Sequence, residues 1–150
     1  MVRENLVIGP MKSRDIPEIL ELEKNTLSAW SRKHLENELQ QPAGIQFVVR
    51  DEAAAKVMAV LFCRIVADEA EILKLSVAEF ARKRGVGYEL LDFAVNYSST
   101  QGVKNCFLEL RASNEAARCL YEKRGFICVG TRKNYYKEPS EDAILMQLVL

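Results

Sequence analysis

The order of strand and helix patterns predicts an α/β (α+β) fold, with a mixed, mainly antiparallel sheet of six to seven strands and about four helices. Apolar runs typical of strands alternate with amphipathic, helix-like segments in the order βααβββαβαββ. The 150 residues, 49% of them hydrophobic, suffice for one sizeable core, and no repeat or linker interrupts them. We therefore expect residues 1–150 to form a single domain.

The first half of the chain predicts a strand, two helices and a hairpin that leads into a further strand. An apolar run over residues 6–11 precedes Ser13 and Asp15, and either side chain could cap the first helix. Ser31 could cap a second helix that ends near Gln40, before a Pro-Ala-Gly stretch. The strands predicted after it cover residues 45–50, 57–66 and 70–77.

The second half predicts two helices and three strands. Apolar spacing indicates a buried helix face over residues 86–98. Ser113 or Asn114 could open a second helix, and Gly125 could close it. The predicted strands cover residues 106–110, 126–132 and 143–150, with a polar loop over residues 134–142.

Composition argues against several classes of function. The 21 basic and 21 acidic residues cancel, so no overall field favours nucleic acid or an anionic membrane. No apolar run approaches the ~18 residues of a membrane span and no leader is apparent, so we expect a cytoplasmic protein. With His34 as the single histidine, we expect no metal site and no histidine-based hydrolase triad. Four scattered cysteines predict reduced, mostly buried thiols.

A basic, glycine-containing segment lies where the strand ending at Val77 leads into the helix over residues 86–98. It places Arg82, Lys83 and Arg84 before Gly85 and Gly87. Cations at a helix N-terminus cost ~0.3 to 1 kcal/mol each, so three together suggest that an anion such as a pyrophosphate offsets them. Taken alone, the segment favours an ordinary solvated loop, because basic, glycine-bearing turns are common.

Three sequence blocks resemble the GCN5-related N-acetyltransferase (GNAT) superfamily. Arg82-x-x-Gly85-x-Gly87 resembles its pyrophosphate-binding motif. The run over residues 108–114, followed by Leu-Tyr-Glu-Lys-Arg-Gly-Phe at residues 120–126, resembles its second signature. The segments 132–136 and 141–146 are similar to the RimI-like branch, which acetylates ribosomal-protein N-termini. The resemblance implies a GNAT fold and acetyl-CoA as cofactor.

Two positions depart from the superfamily's pattern. Glu79 stands where Pro is common, at the approach to the cofactor loop. Ser28-Ala29 replaces the Phe-Pro that often precedes Trp30-Ser31, in the region where the family recognises its peptide. The second departure bears on the identity of the acceptor.

Amine acetylation calls for a base and an acid, because an α-amino group with a pKa of ~7.7 to 8.0 is largely protonated at pH 7. Glu109 interrupts an apolar strand, so it either faces a cleft or pairs with Arg111 on the same strand face. The residues alone favour a core tyrosine at Tyr121. The resemblance implies that Glu109 is the general base and that Tyr121 is the acid that protonates the coenzyme A sulfur.

The resemblance implies further site residues. Strand backbone at Leu75, Ser76 and Val77 would hold the pantetheine arm and the thioester, and Asn114 would contact the pantetheine. The pyrophosphate would lie on Arg82, Lys83, Arg84, Gly85, Val86, Gly87 and Tyr88. Trp30, Tyr135 and Tyr136 would line the acceptor groove.

The leading hypothesis is direct acetyl transfer to a protein or peptide N-terminus, such as that of a ribosomal protein. A small-molecule amine acceptor and a non-catalytic acyl-CoA-binding module are the alternatives. Single-stranded nucleic-acid binding through residues 82–84 and the paired tyrosines is disfavoured by the zero net charge, so we expect neither nucleic acid nor membrane as partner. The sequence indicates no oligomeric state.

Overall fold

The computed structural model describes residues 5–53 and 55–150 and contains a seven-stranded sheet in the order β1-β2-β3-β4-β5-β7-β6. Neighbouring strands are antiparallel except β4 and β5, which are parallel. The strands are β1 (Leu6–Pro10), β2 (Gly44–Asp51), β3 (Lys56–Val66), β4 (Glu69–Val77), β5 (Asn105–Arg111), β6 (Ile127–Tyr136) and β7 (Glu141–Val149). The helices are α1 (Ile16–Glu23), α2 (Arg32–Leu39), α3 (Val86–Thr100) and α4 (Glu115–Arg124). The predicted fold class and element order are confirmed.

The sheet separates two apolar layers. Because successive strand residues point to opposite faces, Val48 packs with α1 and α2 while its neighbours Phe47 and Val49 pack with α3. The first layer contains Ile16, Ile19, Leu35, Val60 and Phe62, and the second contains Leu61, Leu90, Leu91, Ala94 and Val95. Each fully buried Leu, Ile or Phe side chain contributes ~1.5 to 3 kcal/mol, so these layers fix the helices against the sheet.

Helix ends follow the capping residues in three of the predicted places. The Ser31 side chain accepts a hydrogen bond from the His34 amide at 3.1 Å, and Asn114 accepts one from the Ala117 amide at 3.2 Å. Gly125 closes α4 with a φ of 108°. Asp15 is the N-cap residue of α1, as predicted, but its side chain makes no capping hydrogen bond to that helix and instead accepts from the Lys12 amide and pairs with Arg50.

The parallel pair β4–β5 is short. The two strands are paired only where Glu69–Ile72 runs beside Asn105–Leu108. Beyond Ile72 and Leu108 they separate, while β4 stays paired with β3 as far as Val77. Among the described residues, one edge of β4, from Leu73 to Val77, therefore has no strand partner and faces a gap in the sheet.

Two expectations need correction. The strand β6 continues to Tyr136, although its polar sequence predicted a loop from Asn134. Edge strands expose both faces, and Asn134, with a φ of 53°, lies within a register shift between Arg132 and Tyr136. All four cysteines are free, but only Cys63 and Cys106 are buried. The turn predicted between β2 and β3 includes Ala54, which lies outside the described residues.

Within the described part of the chain, no helix combines the length and apolar character needed to cross a bilayer.

Candidate active site

The gap between β4 and β5 opens into a cleft of about 760 Å³. One wall is the free edge of β4, and the opposite wall is formed by the end of β5 and by α4. The glycine loop and the first turn of α3 lie at one end. The α1–α2 connection and Tyr136 lie at the other. The cleft therefore joins the basic loop and the acidic strand residue that the sequence singled out.

The loop before α3 leaves backbone amides and positive charge at the first of these ends. Gly85 is the N-cap of α3 with a φ of 77°, and Lys83 also has a positive φ of 61°. A side chain at Gly85 would be strained in this left-handed conformation. At Gly87, a Cβ atom would come within 3.1 Å of the Val77 side chain, so its glycine serves close packing of α3 on β4. Arg82 is fixed locally because its Nε donates to the Val77 carbonyl at 3.2 Å.

These features fit the coenzyme that the resemblance implies. The unpaired edge of β4 offers amide and carbonyl groups to an extended, amide-containing arm such as pantetheine. The α3 N-terminus, with Arg82 and Lys83 on the cleft, suits a diphosphate. Asn114 lines the same cleft from the start of α4.

Glu109 lies on the β5 wall and is half-buried. Its Oε1 is 3.3 Å from Arg132 Nε. The alternative prediction, an ion pair between Glu109 and Arg111, is wrong. The Arg111 guanidinium donates instead to Ser28, Glu141 and the β6–β7 loop. The charge of Glu109 and a hydrogen bond to it raise the pKa of Tyr135. An acidic group thus faces the cleft beside a cation that β6 supplies.

Tyr121 lies on α4 with its ring against Phe126, at a centroid distance of 5.7 Å. It is 6% exposed and belongs to the apolar core, yet it also lines the cleft. Burial, followed by the influence of Tyr136, raises the pKa of its phenol. The phenol therefore keeps its proton at neutral pH and remains a donor.

Aromatic side chains line the second end of the cleft. Trp30 stacks on His34 at 4.0 Å and lies beside Phe62 at 4.7 Å. Tyr136 packs under the Arg111 guanidinium, 4.6 Å from its ring centroid. Burial and then the nearby Glu109 charge raise the pKa of Tyr136 to about 12. This end therefore combines flat apolar surfaces with a neutral phenol.

Most of the predicted site residues lie together on this cleft; Arg84 and Tyr135 are not among its lining residues. Arg84 lies in the glycine loop with its side chain exposed. Tyr135 is exposed on β6 and hydrogen-bonds to Glu109 without lining the cleft. Sequence reasoning missed several lining residues. Strand alternation from Ser76 and from Glu109 could have found Lys74 and Arg111. Ser28 was noted as a departure from the superfamily's pattern but was not predicted as a site residue. Leu120 and Lys123 flank Tyr121 within a motif already identified.

Comparison with known proteins gives a consistent result. The family model described as "Acetyltransferase (GNAT) family" matches residues 16–126. The [ribosomal protein bS18]-alanine N-acetyltransferase of Salmonella typhimurium is 32% identical over 145 residues, which is 94% of this chain and 95% of that protein. The crystal structure of the ribosomal-protein-S18-alanine N-acetyltransferase from Escherichia coli has a TM-score of 0.87 at 31% identity, covering 96% of this chain and 93% of that one.

A more distant structure shares the fold. The NatC complex bound to Gag peptide and CoA has a TM-score of 0.83 at 24% identity, covering 97% of this chain and 99% of that one. At that identity it shows the fold alone. From the family model and the two closer relatives, this chain belongs to the acetyltransferase (GNAT) family, in its RimI-like branch, and is an N-acetyltransferase.

Proposed function

We propose that this enzyme transfers the acetyl group of acetyl-CoA directly to the N-terminal α-amine of a protein, with Glu109 as general base and Tyr121 as general acid. The observation that carries the proposal is that one cleft contains the glycine loop, the carboxylate and the phenol together. The acceptor named for the closer relatives is ribosomal protein bS18, and we propose a ribosomal protein of that kind here. Such an acceptor implies a cytoplasmic enzyme.

Acetyl-CoA supplies the activated acetyl group when it is bound. We propose that Leu75, Ser76 and Val77 hold its extended arm along the free edge of β4, with Asn114 facing them from the start of α4. The loop residues at the α3 N-terminus hold its diphosphate. This assignment is supported by the unpaired strand edge and by the left-handed backbone at Gly85.

Glu109 has the position expected of a base. A protonated α-amine is attracted to a carboxylate, and the amine becomes nucleophilic only once its proton has been removed. Glu109 takes this proton directly or through one water molecule. In the absence of an acceptor, the Glu109 carboxylate pairs with Arg132, whose side chain is 54% exposed, and the carboxylate remains accessible from the cleft.

Tyr121 has the position and the protonation state expected of an acid. The departing thiolate of coenzyme A needs a proton, and a phenol with a raised pKa retains one at neutral pH. The surrounding core fixes the ring, since Phe126 packs against it. The proton then passes from the phenol oxygen to the sulfur.

The test is a pair of conservative substitutions. Glu109→Gln and Tyr121→Phe are each expected to lower kcat by ~10² or more, with the KM for acetyl-CoA nearly unchanged. The matched controls are Glu71→Gln, at an exposed position on β4, and Tyr97→Phe, on α3, where the Tyr97 ring packs against Phe47 of β2. Unchanged turnover in both site variants would show that the roles are wrongly assigned.

An acceptor panel separates this proposal from the alternatives. Peptides with free N-termini, including one with the bS18 N-terminal sequence, are compared with polyamines, amino acids and aminoglycosides under saturating acetyl-CoA. Turnover confined to the small amines would refute the peptide acceptor. Calorimetric binding of acetyl-CoA with no acetylation of any acceptor would instead indicate a binding module.

A further inference from the structure

The α1–α2 connection, residues 24–31, crosses the end of the cleft that contains Trp30 and Tyr136, which we call the acceptor end. Ser28 lies in this connection and lines the cleft together with its neighbours Thr26, Leu27 and Trp30. Its φ is 63°, a left-handed conformation that non-glycine residues adopt infrequently. A residue held in that conformation requires contacts that compensate for it.

Two cations hold Ser28 from opposite walls. On β4, Lys74 Nζ donates to the Ser28 carbonyl oxygen at 2.7 Å. On β5, Arg111 Nη2 donates to the Ser28 hydroxyl oxygen at 3.0 Å and Nε at 3.4 Å. Both cations lie beyond the point where the strands separate. Ser28 is therefore bound to both sides of the gap at once.

Arg111 extends this connection to the β6–β7 loop. It donates to the Lys137 carbonyl at 3.1 Å and to the Pro139 carbonyl at 3.0 Å, and it pairs with Glu141 at 3.1 Å. Glu141 in turn accepts from the Ser113 amide at 2.6 Å. Arg111 is only 9% exposed, so solvent competes little for these bonds. The α1–α2 connection and the β6–β7 loop are thus joined through one guanidinium.

The bond between Arg111 and the Ser28 hydroxyl is specific to the residue that this chain carries. The bond depends on the hydroxyl, because a side chain without an oxygen or nitrogen acceptor at this position could not accept it. The Ser28 hydroxyl therefore accepts a hydrogen bond from a buried cation, which is stronger than a bond between neutral groups.

We propose that Ser28 is a positioning residue for the acceptor: held by Lys74 and Arg111, it fixes the α1–α2 connection as the wall against which the acceptor chain binds. The inference rests on the proposed function, since it assumes that the amine enters beside Glu109. Ser28 does not touch the reacting atoms. It acts through the wall, and so it governs acceptor binding rather than the chemical step.

The test compares Ser28→Ala with Ser28→Gly. Both remove the hydroxyl, but glycine also relieves the left-handed backbone. Each is expected to raise the KM for the acceptor peptide roughly fivefold to tenfold, as loss of one charge-assisted hydrogen bond allows, with kcat and the KM for acetyl-CoA unchanged. Ser99→Ala, exposed on α3, is the control.

Amide hydrogen exchange over residues 24–31 provides a second readout that needs no acceptor. Both variants are expected to exchange faster there than the wild type. Unchanged exchange, or an unchanged acceptor KM, overturns the inference, and so does a Gly variant that behaves as the wild type while the Ala variant is impaired. If the wild type acetylates no peptide, the proposed function fails and the acceptor role of Ser28 fails with it, whereas the exchange result still tests separately whether the hydroxyl holds the α1–α2 connection.

Discussion

Replacing Lys74 by Met should destabilise the fold far more than an ordinary lysine substitution. Lys74 Nζ lies 3.2 Å from Oε2 of Glu23, whose side chain is 1% exposed. Glu23 Oε2 also accepts from the Ser76 hydroxyl at 2.6 Å. The other oxygen, Oε1, is buried and has no hydrogen-bond partner among the described residues. Removing the cation leaves a buried carboxylate for which Ser76 is the one remaining hydrogen-bond donor in the described part of the chain.

The magnitude follows from the asymmetry of buried ion pairs. Removing one partner costs ~3 to 5 kcal/mol, because the remaining charge stays uncompensated, whereas replacing both by apolar side chains of similar size is often close to neutral. We expect Lys74→Met to cost ~3 kcal/mol or more, and the Glu23→Met, Lys74→Met double variant to cost clearly less. Glu23→Met alone should cost less than Lys74→Met, because the Lys74 side chain is 12% exposed and can turn towards water.

The assay is urea unfolding at pH 7, analysed as a double-mutant cycle. Lys24→Met is the control, since Lys24 pairs with Glu21 on the surface and both side chains are more than half exposed. Loss of that exposed pair should cost at most ~1 kcal/mol. A double variant as unstable as the sum of its two single variants would refute the reasoning.

Two further predictions concern the glycine loop and the thiols. Gly85→Ala should lower the free energy of unfolding by ~1 to 2 kcal/mol, because alanine is strained at a φ of 77°, and it should also weaken acetyl-CoA binding. Gly102→Ala, with a φ of 84° at the far end of α3, should lose similar stability without affecting binding. Thermal melts measure the stability of each variant, and calorimetry measures its binding of acetyl-CoA. At pH 8, a thiol reagent should label two cysteines rapidly and two only after unfolding. Burial raises the pKa of Cys63 to about 12 and that of Cys106 to about 11, so both remain protonated in the fold. The rapidly labelled pair is Cys119 and Cys128.

If the two glycine variants bind acetyl-CoA with equal affinity, the glycine loop does not contribute to cofactor binding as proposed. Rapid labelling of more than two thiols in the folded enzyme would contradict the burial of Cys63 and Cys106.

Local patterns were sufficient for most of the fold. Ser31, Asn114 and Gly125 act within a few residues of their own position, so the sequence around each indicates a helix boundary. The apolar runs of the inner strands were equally clear. The last part of β6 was not, because an exposed edge strand carries polar residues on both faces and resembles a loop.

The candidate site divides in the same way. Gly85, Glu109 and Tyr121 each stand inside a compact motif, and they do lie on one cleft. The contacts of Ser28 join it to residues 46 and 83 positions away, and no local spacing encodes such distances. The partner of Glu109 was missed for a related reason, since Arg132 comes from β6, which reaches β5 only through β7.

The short ladder between Glu69–Ile72 and Asn105–Leu108 divides the sheet into two plates, one of β1–β4 and the other of β5–β7. Because the two parts of the sheet are joined only along this ladder, a small rotation of one part about the ladder produces a larger displacement at the far ends of β4 and β5. Ala70 and Cys106 are paired and buried in this ladder. Substitutions there would therefore change the distance between β4 and β5 at the cleft without contacting either reactant.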